Sequence, residues 1–233
     1  MKTISIAAPC NGSGKTSLIL SLLHTFPRVF AVTKFTTIYK EEQFCPVKDH
    51  DCACHRLSGD YIICKDPAIL SQPDTDTGKI WNAGARQTLW CVARHEGYPQ
   101  MVREFLFHHL SPEIPLLMEG NTIVRYFKPE LQLYVVNPLL PRSWWKSDTE
   151  LFLRKADWIV INPYSNGEHH APEEASTTVN PRLAPYREKC IGLEKPPTLN
   201  GWVDHRLYQA VSEFLASEAG TNSRNRCEGD LRE

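Results

Sequence analysis

Long apolar stretches are missing from this 233-residue chain, and none of its runs approaches the roughly 20 apolar residues that span a bilayer. Net charge is also missing. Twenty-six Lys and Arg stand against 27 Asp and Glu, a formal net charge of −1. That balance gives no global pull toward nucleic acid or an anionic membrane surface, and neither is an expected partner. No leader pattern precedes the first apolar run, which begins at Ile4, so the cytoplasm is the expected location. No internal repeat is visible. The bulk composition, 42% hydrophobic and 23% charged, is that of a globular chain long enough for one α/β domain with insertions. Eight cysteines would suggest disulfides in a small secreted protein, but not in a chain that otherwise reads as cytosolic.

The stretch Ala8-Pro9-Cys10-Asn11-Gly12-Ser13-Gly14-Lys15-Thr16-Ser17 is the most informative part of the chain. It lies between the apolar run Ile4 to Ala8 and the amphipathic run Ser17 to Leu23. Strand, glycine-rich loop and helix in that order make a phosphate-binding P-loop. Gly12 and Gly14 let successive N–H groups turn inward toward an anion, and the helix N-terminus points its dipole the same way. Lys15 is the expected charge on β- and γ-phosphate, and Thr16 an expected Mg²⁺ ligand. Asn11, Gly12, Ser13, Gly14 and Ser17 supply the rest of the cradle. One position departs from G-x-x-x-x-G-K-[ST]: Pro9 stands where the first glycine belongs. Cys10 within the loop reads as a small buried residue.

Periodicity places a first strand near Thr3 to Ala8 and a first helix near Gly14 to Thr25, stopped by Pro27. A second strand is expected over Arg28 to Phe35. Pro73 to Lys79 reads as a polar turn, with a short helix opening near Ile80. Strands are expected over Thr88–Ala93, Ile114–Asn121, Leu131–Val136, Trp158–Asn162 and Lys189–Leu193. Helices are expected over Pro99–His109, Asp148–Ala156 with Asp148 as N-cap, and Val203–Leu215. Ser165 to Pro185 reads as a mobile loop and residues 217–233 as a disordered tail. The fold class is therefore α/β, a mostly parallel central sheet flanked by helices, in one domain over residues 1–216.

Three further groups carry chemistry. Glu119 ends a buried strand, where a parallel sheet places its ligands; it is a candidate for Mg²⁺. Lys34, at the end of the second strand, can add positive charge beside a γ-phosphate. Cys45, Cys52, Cys54, His55 and Cys64 crowd one insertion, at about residues 41–66, with little apolar content. Thiolates with or without His55 can complete a tetrahedral zinc site or hold an iron–sulfur cluster; ordinary reduced cysteines are the third reading. His169-His170 with Glu168 reads as a solvated loop. Trp144-Trp145 reads as loop anchoring, with a partner contact as the alternative.

Four stretches in order carry a resemblance: Asn11 to Thr16, Val32-Thr33-Lys34-Phe35-Thr36, Asp76-Thr77-Gly78-Lys79 leading to Ala83-Gly84-Ala85, and Leu117-Met118-Glu119-Gly120. Together they make the chain similar to the molybdopterin-guanine dinucleotide biosynthesis protein B family, P-loop GTPases of the SIMIBI class whose relatives include metal-insertion GTPases and dethiobiotin synthetase. The family's histidine-rich stretch after the lysine is replaced here by Phe35-Thr36-Thr37, and the cysteine-rich insertion is additional. The resemblance implies that Asp76 orients the attacking water or the Mg²⁺ shell, joining Lys15 and Glu119 as the catalytic set. It also implies that Asn162 lies where relatives read the base. The guanine signature N-K-x-D is absent, so GTP and ATP both stay open.

The expected function is nucleoside triphosphate binding and slow hydrolysis, assisting maturation or delivery of a metal-containing cofactor together with a cofactor-maturation enzyme. Homodimerisation is left open. A small-molecule kinase or ATP-dependent ligase of the dethiobiotin synthetase type is one alternative. A metal-binding nucleotide switch with negligible turnover is the other.

Overall fold

The structure is a computed structural model, and it describes residues 1–38, 57, 59–165, 168–169, 181–192 and 204–217. Strands and helices alternate. β1 (Thr3–Ala7), α1 (Lys15–Thr25) and β2 (Ala31–Ile38) open the chain. β3 (Tyr61–Cys64), α2 (Pro67–Leu70), α3 (Asp76–Asn82) and β4 (Gln87–Arg94) follow. Then come α4 (Tyr98–His108), β5 (Leu116–Glu119), β6 (Leu131–Val136), α5 (Thr149–Lys155) and β7 (Trp158–Ile161). A small hairpin of β8 (Tyr164–Ser165) and β9 (Glu168–His169) precedes β10 (Cys190–Gly192) and α6 (His205–Ala216).

Eight strands form one sheet in the order β10-β7-β6-β1-β5-β2-β4-β3. Every neighbouring pair is parallel except β3 on β4. The α/β sheet expected from the sequence is thus present. Parallel strands covered on both faces need apolar side chains on both, and β1, β5 and β7 show that near-continuous pattern. On one face Ile4, Ile6, Leu117 and Val160 pack against Leu18, Ile19, Leu22 and Leu23 of α1 and against Leu207 and Val211 of α6. On the other, Leu116 and Met118 meet Met101 and Phe105 of α4, while Tyr134 and Ile159 meet Phe152 and Leu153 of α5. Each of the large α1 side chains contributes about 1.5–3 kcal/mol by burial. Lys2 Nζ donates to the carbonyls of Phe214 (2.9 Å), Leu215 and Ser217, closing the C-terminal end of α6 with a cation where the helix dipole favours one.

Several boundaries differ from the sequence reading, each for a local reason. β2 begins at Ala31, three residues later than expected. Arg28 has φ 58°, left-handed backbone that completes the turn after Pro27 before a strand can start. α3 begins at Asp76, not Ile80. The Thr75 hydroxyl accepts the Gly78 N–H at 2.9 Å, so the polar run is a capped first turn. β3 was not expected at all. Tyr61-Ile62-Ile63-Cys64 lies within the stretch assigned to the cysteine-rich insertion, yet it pairs with β4 as the sheet's antiparallel edge. Asp148 occupies the N-cap position of α5 but makes no capping bond; its carboxylate binds Arg125 instead. Within the expected loop at 165–185, Leu183 is buried in the core beside α5. Trp145 also packs there, whereas Trp144 is exposed. Residues 166–167 and 170–180 of that loop and the expected tail from residue 218 onward lie outside the described residues.

Gly78 is held by contact. A Cβ on it would lie 1.7 Å from the Gln72 carbonyl oxygen, whereas a Cβ on Gly192 would meet nothing within 4 Å among the described residues. Gly78→Ala is expected to lower stability by about 2 kcal/mol or more, through displacement of the 72–75 turn from α3. Gly192→Ala is expected to leave it unchanged or slightly raised. Urea unfolding of the two variants checks the pair.

Candidate functional site

The site forms at the C-terminal ends of the central strands. β1 sits between β5 and β6, and the chain leaves it toward β2 on one side while β6 and β7 build the other. Loops diverge at such a point and leave a crevice. The P-loop rises from β1 into that crevice, and α1 starts directly behind it. Gly14 is the N-cap of α1, with φ 98°. A Cβ there would lie 2.2 Å from the Asn162 amide nitrogen, so the position excludes any side chain. Gly12, at φ 78°, is the second left-handed residue of the loop.

Three polar side chains brace the loop from beneath. Ser13 is fully buried, and its hydroxyl donates to the Cys10 carbonyl at 3.0 Å. Asn162 Nδ2 donates to the Ser13 carbonyl at 3.1 Å. Asn121 grips Ala8 from both sides: its Oδ1 accepts the Ala8 N–H at 3.1 Å and its Nδ2 donates to the Ala8 carbonyl at 2.8 Å. These contacts fix the direction in which the loop amides point. Asn11 and Gly12 are exposed, while Gly14, Lys15, Thr16 and Ser17 are half-buried. The Ser13 hydroxyl is occupied, which leaves its backbone N–H as the group it can offer a ligand. Asn162 was expected near a base; the structure puts its amide on the loop backbone. Asn121 had no assigned role in the loop. A buried Asn just after a strand-ending Glu-Gly was its only signal in the sequence.

Beside the loop lies a chain of charged groups. Glu119 ends β5 and is 3% exposed. The Thr16 hydroxyl donates to its carboxylate, with both oxygens at 3.3 Å. Lys34 sits directly across from Glu119 in the β2–β5 register, and its Nζ donates to Glu119 at 3.1 Å. The same ammonium binds Asp76, the first residue of α3. Gly120 carries φ 150°, and a Cβ there would lie 2.9 Å from the Phe35 carbonyl; the turn that aims Glu119 inward therefore needs glycine. The structure thus brings Lys15, Thr16, Lys34, Asp76 and Glu119 into one electrostatic cluster.

Charge states follow from these contacts. Burial pushes the Lys15 ammonium down from its ordinary value; Glu119 opposes this, while the like charges of Lys34 and Lys146 add to it. Burial also acts against charged Lys34, but Glu119 and Asp76 outweigh it and its value ends up raised. Asp76 is the mirror case. Burial favours its neutral form, the Lys34 charge and hydrogen bond outweigh that, and its carboxyl is held below the usual range.

The donor set fits Mg²⁺ and a polyphosphate. A hydroxyl and a carboxylate converge, both hard oxygen donors of the kind Mg²⁺ takes, and left-handed glycines free the amides beside them. Lys15 makes no hydrogen bond among the described residues, an arrangement that favours an anion at the loop.

The cysteine cluster is only partly in view. Cys45, Cys52, Cys54 and His55 lie outside the described residues. Cys64 is buried on β3, in register with Trp90 of β4. Among the described residues no group of three or more His, Cys, Asp or Glu is placed to hold a metal ion. Among them, too, no helix is long and apolar enough to cross a membrane.

No family model and no curated protein matches the chain. Solved structures resemble it along most of their length, among them two of different description. One is the hydrogenase maturation factor HypB from Archaeoglobus fulgidus, 16% identical, covering 92% of this chain and 90% of that one at a TM-score of 0.43. The other is a plasmid partition protein, BB_S35 from Borrelia burgdorferi B31, bound to AMPPNP. It is 11% identical, covering 92% of this chain and 97% of that one at a TM-score of 0.41. Likeness at this level carries no argument about this chain. The strand, glycine loop, helix and neighbouring strand-end carboxylate themselves form a P-loop arrangement on a mostly parallel α/β sheet.

Proposed function

We propose that this protein binds a nucleoside triphosphate with Mg²⁺ and hydrolyses it slowly, in the service of maturing or delivering a metal-containing cofactor. The observation that carries the nucleotide reading is the Thr16–Glu119–Lys34–Asp76 cluster at the mouth of the braced P-loop. In this reading the loop amides and Lys15 hold the phosphates, and Thr16 and Glu119 hold Mg²⁺. The bound ion would neutralise phosphate charge. Lys34 stands between Glu119 and Asp76, so its ammonium can pass from carboxylate to phosphate oxygen by a small side-chain movement. Asp76, released by Lys34, is then available to orient the attacking water. The cofactor half of the reading rests on the family resemblance. The base, guanine or adenine, is assigned to neither.

Transfer of the γ-phosphoryl group to a small acceptor is a second reading, favoured by Lys34. A second ammonium on β2, outside the loop sequence but beside it, suits an anionic acceptor next to the γ-phosphate. Phosphate released without any acceptor would count for hydrolysis, and strict dependence on an acceptor for transfer. A third reading, a nucleotide switch, requires tight binding with negligible turnover under both conditions.

Lys15→Ala is expected to abolish triphosphate binding in calorimetry, and Glu119→Gln to remove its dependence on Mg²⁺ while leaving residual binding. Unchanged affinity in Lys15→Ala would reject the nucleotide site.

The Lys34–Asp76 pair also predicts a pH effect. Asp76 titrates lower in the folded protein than in the unfolded chain, where its pKa is about 3.9. The stabilisation it provides is therefore complete above that value and is lost as pH falls through the lower, folded one. The Asp76 side chain is 45% exposed, so the pair contributes about 1 kcal/mol or less. Wild type and Asp76→Asn should differ by that amount near neutrality and converge in acid, as urea unfolding across a pH series would show.

The cysteine-rich stretch enters this reading as a metal site, zinc or iron–sulfur. Elemental analysis of protein made under metal-replete anaerobic conditions should find about one site's worth of metal. The Cys52→Ser/Cys54→Ser variant should lose it and still bind nucleotide. Metal-free, folded wild type would make these plain cysteines.

A further inference from the structure

We propose that Lys146 is a second phosphate-binding cation of the nucleotide site, presented by the connector between β6 and α5. This rests on the nucleotide reading above and names a residue that neither the loop motif nor the family resemblance supplies.

The connector, residues 137–148, is pinned along the P-loop. It leaves β6 through a turn in which the buried Asn137 side chain accepts the Leu139 N–H at 2.9 Å. Leu140 Cδ1 then lies 3.7 Å from where a Cβ on Gly12 would be, so the connector runs in contact with the glycine turn. Trp145 packs into the core beside α5 and anchors the far end. Lys146 follows directly. Its N–H donates to the Pro9 carbonyl at 2.9 Å, and its own carbonyl accepts the Thr149 N–H at 3.1 Å. Its backbone is thus fixed on both sides, one residue being the loop's departure from the usual glycine.

The side chain is free to act. Lys146 is exposed, and its Nζ makes no hydrogen bond or ion pair among the described residues. The acid nearest in sequence, Asp148, is already bound by Arg125. Lys146 nevertheless stands close enough for its charge to disfavour the charged form of Lys15. Two ammonium groups that repel each other, neither one hydrogen-bonded among the described residues, flank a loop whose amides are also donors. An anion of several charges satisfies all three, and the phosphate chain of a nucleotide is such an anion. An ordinary surface lysine would have neither the two backbone anchors nor the place beside the loop.

The test is calorimetry with Mg²⁺ and non-hydrolysable ATP and GTP analogues on wild type, Lys146→Gln, Lys146→Arg and Lys15→Ala. Lys146→Gln should weaken triphosphate binding about tenfold and flatten its dependence on salt, with the melting temperature unchanged. Lys146→Arg should stay within about threefold of wild type, because it keeps the charge and the backbone bonds. Equal affinity and equal salt dependence in Lys146→Gln, with binding abolished in Lys15→Ala, would overturn the inference and leave the nucleotide reading standing. Weakening by glutamine and arginine alike would also overturn it, since only the shape of the connector would then matter. Absence of triphosphate binding in wild type would remove the nucleotide reading and this inference with it.

Discussion

A carboxylate almost wholly removed from water, Glu119 at the end of β5, is the constraint around which the site is built. A buried charge without partners is expensive enough that a protein either neutralises it or surrounds it with cations and donors. Here it is surrounded. Thr16 reaches it from α1, Lys34 from β2, and Lys15 stands within its field. These partners come from two other elements, α1 and β2, so the carboxylate holds α1, β2 and β5 in one arrangement. Gly120 is tied to the same requirement, because only a residue without a side chain can pass the Phe35 carbonyl there.

That arrangement is poised rather than inert. Lys34 joins two carboxylates, and a ligand bringing both negative phosphate and a divalent cation would offer better partners to every member at once. Lys34 would exchange carboxylate for phosphate, and Glu119 and Asp76 would exchange an ammonium for the cation or water. The cluster therefore links β2 and α3, the elements from which Lys34 and Asp76 come. Below it, Asn121, Asn162 and Ser13 hold the loop with neutral hydrogen bonds that a ligand has no reason to disturb. Movable charge above and fixed amides below divide the work of responding and positioning.

The central elements were legible because their burial leaves a strong pattern. β6 was placed to the residue, and α1, α4, β4, β7 and α6 within a residue or two, since apolar periodicity there is long and uninterrupted. Among the short or polar elements, β3 and the start of α3 were not, although the three-residue edge strand β10 was. β3 has four residues, one a cysteine that drew attention as a ligand, and its strand character comes from pairing with β4. The first turn of α3 looked like a loop because a capped helix start is polar by necessity. Asp148 looked like a cap because its type and place were right, but Arg125, more than twenty residues away, competed for the same carboxylate.

For the site, sequence alone determined which residues are the candidates for phosphate chemistry. Glycines, lysine and threonine at fixed spacing specify the loop through local backbone geometry, and Glu119 declared itself by ending an apolar strand. What only the tertiary structure decided was who meets whom. Strand register sets Lys34 opposite Glu119 across 85 residues of chain, and the start of α3 brings Asp76 to the same ammonium. The same folding turned Asn162 onto the loop backbone and brought Lys146 to Pro9. Such meetings depend on strand order and on the path of connectors, which arise from packing over the whole sheet. No local pattern of residue types encodes them.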